Sequence, residues 1–365
     1  MSPDAIAAGI DAVEEITSLD ELAGLEGEWW DLWEASGATP FQSPAWVLAW
    51  WRRFGWNPLC SLALRSEASL VGLAPLFIWP REDTGERTVL LIGTGITDHL
   101  DMICAAGFED EGAERVLDWL DGAGDRWDVC DFQQLHATSP LRVSMLSRQW
   151  REETGEQDVC PVLAIPEGVR DGSDFLPRRL WKNAGYYRRR LERLGAVEIE
   201  AVTEENFAEL FEALVRLHGA RWASKGEAGM LAEGDVEAFH RDVAGGMLAH
   251  GLLRMYAFRL DGRIVAVYYG MSAKRRAYYY LGGFDPALEK FSPGTQIVAH
   301  ALCEAAREGC TAFDFLRGRE AYKHAWGAAD RPTFRRIVRR VARTEIENDA
   351  GRARSQGIRA VYGAG

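Results

Sequence analysis

Hydrophobic residues at helical and strand spacings divide the chain into two similar series of elements. Over residues 205–223, Phe207, Leu210, Phe211, Leu214 and Leu217 fall on one helical face, and 21–33 and 235–249 read the same way. Ser43-Pro44 marks another helix start: serine suits the cap and proline the first turn. Runs 60–65, 70–79 and 88–93 read as strands, followed by a helix over 112–122 and a strand over 128–135; residues 136–165 are less regular. In the second half, 252–259 and 263–271 flank the turn Leu260-Asp261-Gly262, a hairpin signal. A strand over 276–282 follows, then a helix from Ser292-Pro293-Gly294 to about Glu308, which Gly309 stops, and a buried strand over 311–316. The order hairpin, strand, helix, strand thus occurs twice, with Asp131-Phe132 matching Asp314-Phe315, and predicts a duplicated α/β unit with a mixed sheet.

Length and composition agree with two globular units. The chain has 365 residues, 47% of them hydrophobic, and 14 Trp that call for large buried surfaces. The units are expected at 37–170 and 171–345, between an acidic N-terminal arm (1–36) and a C-terminal tail (346–365). No run reaches membrane-spanning length, the N-terminus lacks the positive charge of a signal peptide, and the six cysteines are scattered. A cytoplasmic protein with reduced thiols, outside the membrane and without a metal, is expected.

The net charge of −13 disfavours general nucleic-acid binding. It hides an asymmetry. Residues 1–36 hold ten carboxylates and no Lys or Arg, whereas 178–193 and 331–359 each carry a net +6. These basic stretches suit a phosphate-rich partner, or pair as solvated surface with the acidic arm.

Several segments together resemble one family. PFQSPAW (40–46), His218 with Arg221-Trp222, YYYLGGFDP (278–286), SPGTQ (292–296) and FDFLRGREAYKHAWG (313–327) look like the BioF-like or CelD-like acetyltransferases of the GNAT superfamily, related to the FemAB aminoacyl transferases. The resemblance runs from about Phe41 to Trp326. It implies tandem GNAT-like units that transfer an acyl group to an amine of a sugar, amino acid or peptide-like acceptor, with a link to polysaccharide synthesis. The implied donor is acetyl-CoA; the FemAB alternative takes aminoacyl-tRNA, and a third reading is a non-catalytic binder of phosphorylated ligands.

Direct acyl transfer needs a deprotonated amine, a held carbonyl and fixed oxyanion donors, without a nucleophilic Ser or Cys. Accordingly there is no GxSxG, HExxH or GxxxxGK[ST] motif. The helix start at Gly294, Thr295 and Gln296 suits a CoA pyrophosphate, although the usual RxxGxG/A loop of GNAT enzymes is absent. Where the last strand ends, Asp314, Arg317, Glu320, Tyr322 and Lys323 cluster. Glu320 or Asp314 can serve as general base, Tyr322 as proton donor to the leaving thiolate, and Lys323 and Arg317 as substrate ligands. A structural salt-bridge network is the competing reading, strongest for Asp314 inside an apolar strand. Arg221 and Trp222 suit an anionic substrate, or a simple helix end. Asp98 and His99 form a candidate acceptor site, or a hydrogen-bonded loop, and the Tyr278–Tyr280 stripe reads as a packed strand.

Overall fold

Pro75 divides the most apolar run of the chain between two sheets, because proline supplies no N–H to a ladder. The computed structural model describes residues 9–144 and 150–340. The chain opens with β1 (Ala12–Ile16), α1 (Leu19–Gly24), α2 (Glu26–Ala35) and α3 (Pro44–Phe54). Then come β2 (Ser61–Ser66), β3 (Ser69–Ala74), β4 (Leu76–Pro80), β5 (Arg87–Leu91), β6 (Ile103–Cys104), α4 (Glu109–Gly122), β7 (Val129–Leu135) and a single turn, α5 (Pro140–Val143). The chain continues through β8 (Trp150–Ala164), α6 (Arg178–Leu191), β9 (Val197–Ala201), α7 (Phe207–Ala223) and α8 (Gly234–Ala249). It ends with β10 (Leu253–Leu260), β11 (Arg263–Ala273), β12 (Arg276–Phe284), α9 (Pro293–Arg307), β13 (Ala312–Asp314), α10 (Ala321–Ala325) and β14 (Ala329–Arg340).

Among the described residues the strands form a four-stranded sheet, β1-β2-β3-β6, and a ten-stranded sheet, β4-β5-β7-β14-β8-β13-β12-β11-β10-β9. The expected repeat is present. In each half a helix joins two parallel strands: α4 links β5 to β7 (Val89 opposite Cys130), and α9 links β12 to β13 (Ala277 opposite Phe313). Asp131 and Asp314 occupy the same third position of their strands. The expected hairpin turn carries left-handed φ at both Asp261 (47°) and Gly262 (76°), the backbone that two-residue hairpins favour. Strand alternation sends Tyr256, Phe258, Ala266 and Tyr268 into one core with α9, and Met255, Ala257, Val267 and Tyr269 into the other with α7 and α8.

Four expectations change. Residues 12–35, read as an acidic arm with one helix, form a strand and two helices that bury Trp29 and Trp33. Ser43 does sit at the start of α3, but its hydroxyl donates to the Pro40 carbonyl at 2.7 Å instead of capping the helix. Residues 150–164, read as irregular, are one long strand. Its partner is the strand 329–340, which takes in the start of the basic stretch 331–359 and pairs from Ala329–Val162 to Arg340–Trp150. The remainder of that basic stretch and the tail lie outside the described residues. All six cysteines are free and buried, and no described helix is long and apolar enough to cross a membrane.

The β14 strand separates β7 from β8 and pairs with both. A chain ended at residue 328 therefore bares two strand edges, and we expect it to aggregate on expression. Arg336 is 1% exposed and donates to the carbonyls of Leu141 and Ser144 and to Glu152. Arg336→Met should lower stability by about 1–3 kcal/mol through the unpaired carbonyls, measured by urea unfolding.

Candidate functional site

The site begins where two parallel strands part. Strands β12 and β13 pair only at Arg276–Ala312, Ala277–Phe313 and Tyr278–Asp314. Beyond that, β12 continues against β11 to Phe284, while the chain after β13 turns to β8, with the Phe315 N–H on the Pro161 carbonyl and the Gly318 N–H on that of Val159. The V between them opens into a pocket of about 220 Å³. One wall is Tyr279, Gly282, Gly283 and Phe284; the other is Tyr322, Ala325 and Trp326; Gly294 and Thr295 at the start of α9 and Arg221 at the end of α7 complete it.

Local geometry turns donors toward this opening. The Asp285 N–H bonds the Val265 carbonyl, so alternation along an antiparallel pair directs the N–H groups of Gly282 and Phe284 to the unpaired edge. A Cβ on Gly282 would lie 2.5 Å from the Tyr279 hydroxyl, and one on Gly283 2.4 Å from the backbone nitrogen of His218, which is why the strand thins to glycine here. At α9, Ser292 takes a left-handed φ of 49° and gives no side-chain cap. Pro293 has no N–H and Gln296 bonds back to Ser292, which leaves the first-turn N–H groups of Gly294 and Thr295 as anion donors.

The side chains add one cation and two phenols. The Arg221 guanidinium lies 5.5 Å from the centre of the Phe284 ring and makes no ion pair among the described residues. Burial pushes the hydroxyls of both Tyr279 and Tyr322 above the usual phenol value, so both remain protonated donors. No described carboxylate or imidazole lines the pocket. Glu320, at the start of α10, acts electrostatically on both phenols and holds Lys323 at 2.9 Å.

The other residues singled out by sequence lie elsewhere. Lys323 is buried and donates to the Leu316 and Arg317 carbonyls, closing the turn in which Leu316 (φ 58°) and Gly318 (φ 107°) are left-handed. Asp98 and His99 are brought to Arg317 and Asp314 in one buried cluster outside the pocket: Asp98 pairs with Arg317, and His99 Nε2 lies 3.1 Å from Asp314, which also takes Arg276 at 3.3 Å and the Leu316 N–H at 2.9 Å. Burial opposes ionisation of Asp314, but His99, the Leu316 N–H and Arg276 outweigh it and hold the carboxyl below its usual value. Cys160 approaches His99 and Asp314 with ligand atoms within 4.8 Å, yet burial raises its thiol well above the usual range and keeps it protonated. Trp222 packs by Gly229 instead of the pocket, and Gln296 gives its amide N–H to the Phe291 carbonyl on another stripe of α9. In sequence Tyr279 reads only as part of a packed stripe, and Gly282 and Phe284 only as part of the YYYLGGFDP segment, whereas all three line the pocket. The Gly282-Gly283 pair inside a strand was the available signal.

A splayed pair of parallel strands, with an uncapped helix start facing the gap, is matched by sequence as well. Residues 178–324 match the acetyltransferase (GNAT) domain family. Comparison with curated proteins finds no match. Among solved structures the chain is similar to FemX, at 11% identity, 89% of this chain, 96% of that one and TM-score 0.63. It is also similar to the C-terminal domain of a putative lysylphosphatidylglycerol synthetase from Agrobacterium fabrum (12%, 86% and 91%, 0.55) and to L-PGS from Bacillus licheniformis (12%, 86% and 91%, 0.53). At such identities the likeness is one of fold. That fold is mixed α/β and GNAT-like, with the pocket in the GNAT-matched half.

Asp314 belongs to the frame of this half, not its pocket. Asp314→Asn leaves Arg276 and His99 without their anion and should cost about 3–5 kcal/mol by urea unfolding at neutral pH. Because the folded-state pKa is depressed, that contribution is present above the usual carboxylate range and is lost as pH falls through the folded value. The difference between wild type and variant should therefore shrink below about pH 4.

Proposed function

We propose that this protein is a GNAT-type acyltransferase that moves an acyl group, most simply acetyl from acetyl-CoA, to an amine on a sugar, amino acid or peptide-like acceptor, in the cytoplasm. Within the superfamily we assign it to the BioF-like or CelD-like branch on its sequence segments. The observation that carries the reading is the β12–β13 splay, lined by the free N–H groups of Gly282 and Phe284 and facing the uncapped start of α9. A thioester laid along the open edge of β12 would place its carbonyl oxygen on those donors and its phosphates on Gly294 and Thr295, with Arg221 as counter-charge.

The chemistry follows from the groups at hand. The acceptor nitrogen attacks the thioester carbon, negative charge moves to the oxygen, and the carbon–sulfur bond breaks. Tyr322 donates its proton to the departing thiolate. Glu320, at the start of α10 and acting electrostatically on both phenols, takes the ammonium proton through a water molecule. Asp314 and Lys323 hold the frame and touch neither reactant, and Arg317, Asp98 and His99 tie the two halves together.

A second reading keeps acyl transfer and changes the donor to aminoacyl-tRNA. It is favoured by Arg178, Arg179 and Lys182, exposed cations beside Leu180, which lines the pocket.

Acetyl-CoA should raise the melting temperature of the wild type. Gly294→Val should abolish the shift, because the added side chain meets the Phe284 ring from 3.1 Å at Cβ. Tyr322→Phe should retain the shift and lower kcat by about 100-fold. No shift with millimolar acetyl-CoA, together with tRNA binding that persists at physiological salt, would transfer the reading to the aminoacyl donor.

A further inference from the structure

A second concavity, larger than the pocket, lies along a different stripe of α9. It is a groove of about 860 Å³ between α6 and α9, within the size range of small-molecule sites. Its facing residues are small: Ala184 and Gly185 on α6, Ala299 and Cys303 on α9. Trp181 and Ile199 line it as well, and give the slot apolar surface on which a planar ring can pack.

Two polar features lack protein partners among the described residues. Gln296 is 5% exposed; its amide nitrogen is committed to the Phe291 carbonyl at 2.8 Å, but Oε1 is buried with no hydrogen-bond partner. A buried acceptor in that state calls for a donor. Around the groove stand Lys182, Arg188, Arg189 and Arg307. Arg188 is taken up by Glu192 and the Val197 carbonyl, and Arg307 by Glu304, whereas Lys182 and Arg189 form no ion pair among the described residues.

We propose that this groove binds a nucleotide. The planar base enters the slot and donates an N–H to Gln296 Oε1, and the phosphates meet Lys182 and Arg189. An acyl chain would leave Gln296 as unpaired as before, and an inorganic anion would leave the slot unfilled. The proposal does not rest on acyl transfer, since it concerns another stripe of α9.

The test is calorimetric titration of the full-length protein with ADP. One site is expected, weakened by raising the salt to about 0.5 M. Arg189→Glu, an exposed change that threatens no packing, should raise Kd by about tenfold, and Gln296→Leu by a similar factor. Gly294→Val, which obstructs the acyl-donor pocket, should leave ADP binding as it is. The proposal is overturned if millimolar ADP does not bind, if neither groove variant weakens it, or if Gly294→Val abolishes it, which would mean ADP occupies the other pocket. Binding of phosphatidylglycerol vesicles or of RNA in place of ADP would overturn it equally.

Discussion

Asp314, a carboxylate with 1% exposure, holds the two strands on which the pocket depends in their diverging paths. A parallel ladder of three residue pairs is too short to fix where it ends, and an unsupported end would fray. Asp314 sits at the last pair and takes three groups, the Leu316 N–H, Arg276 from β12 and His99 from the first half, with Cys160 packed alongside. One residue pair later the strands have separated. Arg317 and Lys323 then fix the departing arm, the first on Asp98 and the second on the carbonyls of the turn. The other arm is held by the Tyr280 hydroxyl on the Ile96 carbonyl at 2.6 Å. Each arm of the V is therefore tied to the 96–99 loop, so the first half works as a brace for a pocket it does not line.

The brace is covalently remote but mechanically continuous. Because β14 comes from the far end of the chain and lies between β7 and β8, a single hydrogen-bonded sheet passes through both halves. Its arginines face carboxylates of the first half and of β8: Arg335 pairs with Asp131, Arg339 with Glu86 and Arg336 with Glu152. Opening the halves would break this seam at every strand.

Legibility in the sequence followed the range of the interaction responsible. Local devices were readable: the helical spacing of α7, the Asp261-Gly262 turn and the Ser-Pro-Gly start of α9. So was the repeat, since each copy of strand, helix and strand is assembled within about fifty residues. Pro75 was visible yet its consequence was not, because only the partners of β3 and β4 show that the run changes sheets. Strands β8 and β14 were hidden by distance in sequence. Neither reads as a strand alone, since β8 carries Glu152, Glu153 and Glu156 and β14 carries Arg335, Arg336 and Arg339; the two meet across 184 residues at Arg336–Glu152, while Arg335 and Arg339 take Asp131 and Glu86. The site was half legible for the same reason. Gly294, Thr295, Arg221 and Tyr322 meet as their chemistry suggested, whereas Lys323 and Asp314, equally suggestive, are consumed by partners that only the tertiary structure reveals.

Charge is the remaining case in which pairing, not composition, decides. The acidic N-terminal region does not neutralise the basic helix: Glu14 and Glu28 go to Arg65, and Glu15 to Arg126, all within the first half. Arg335, Arg336 and Arg339 of β14 are likewise matched. Helix α6 is left, with Arg178, Arg179, Lys182 and Arg189 outside any ion pair among the described residues, beside both the pocket and the groove. At physiological salt charges beyond about 8 Å are largely screened, so a phosphate approaching α6 meets those cations and not the chain's net −13. The negative net charge is therefore no obstacle to the phosphate sites proposed beside α6.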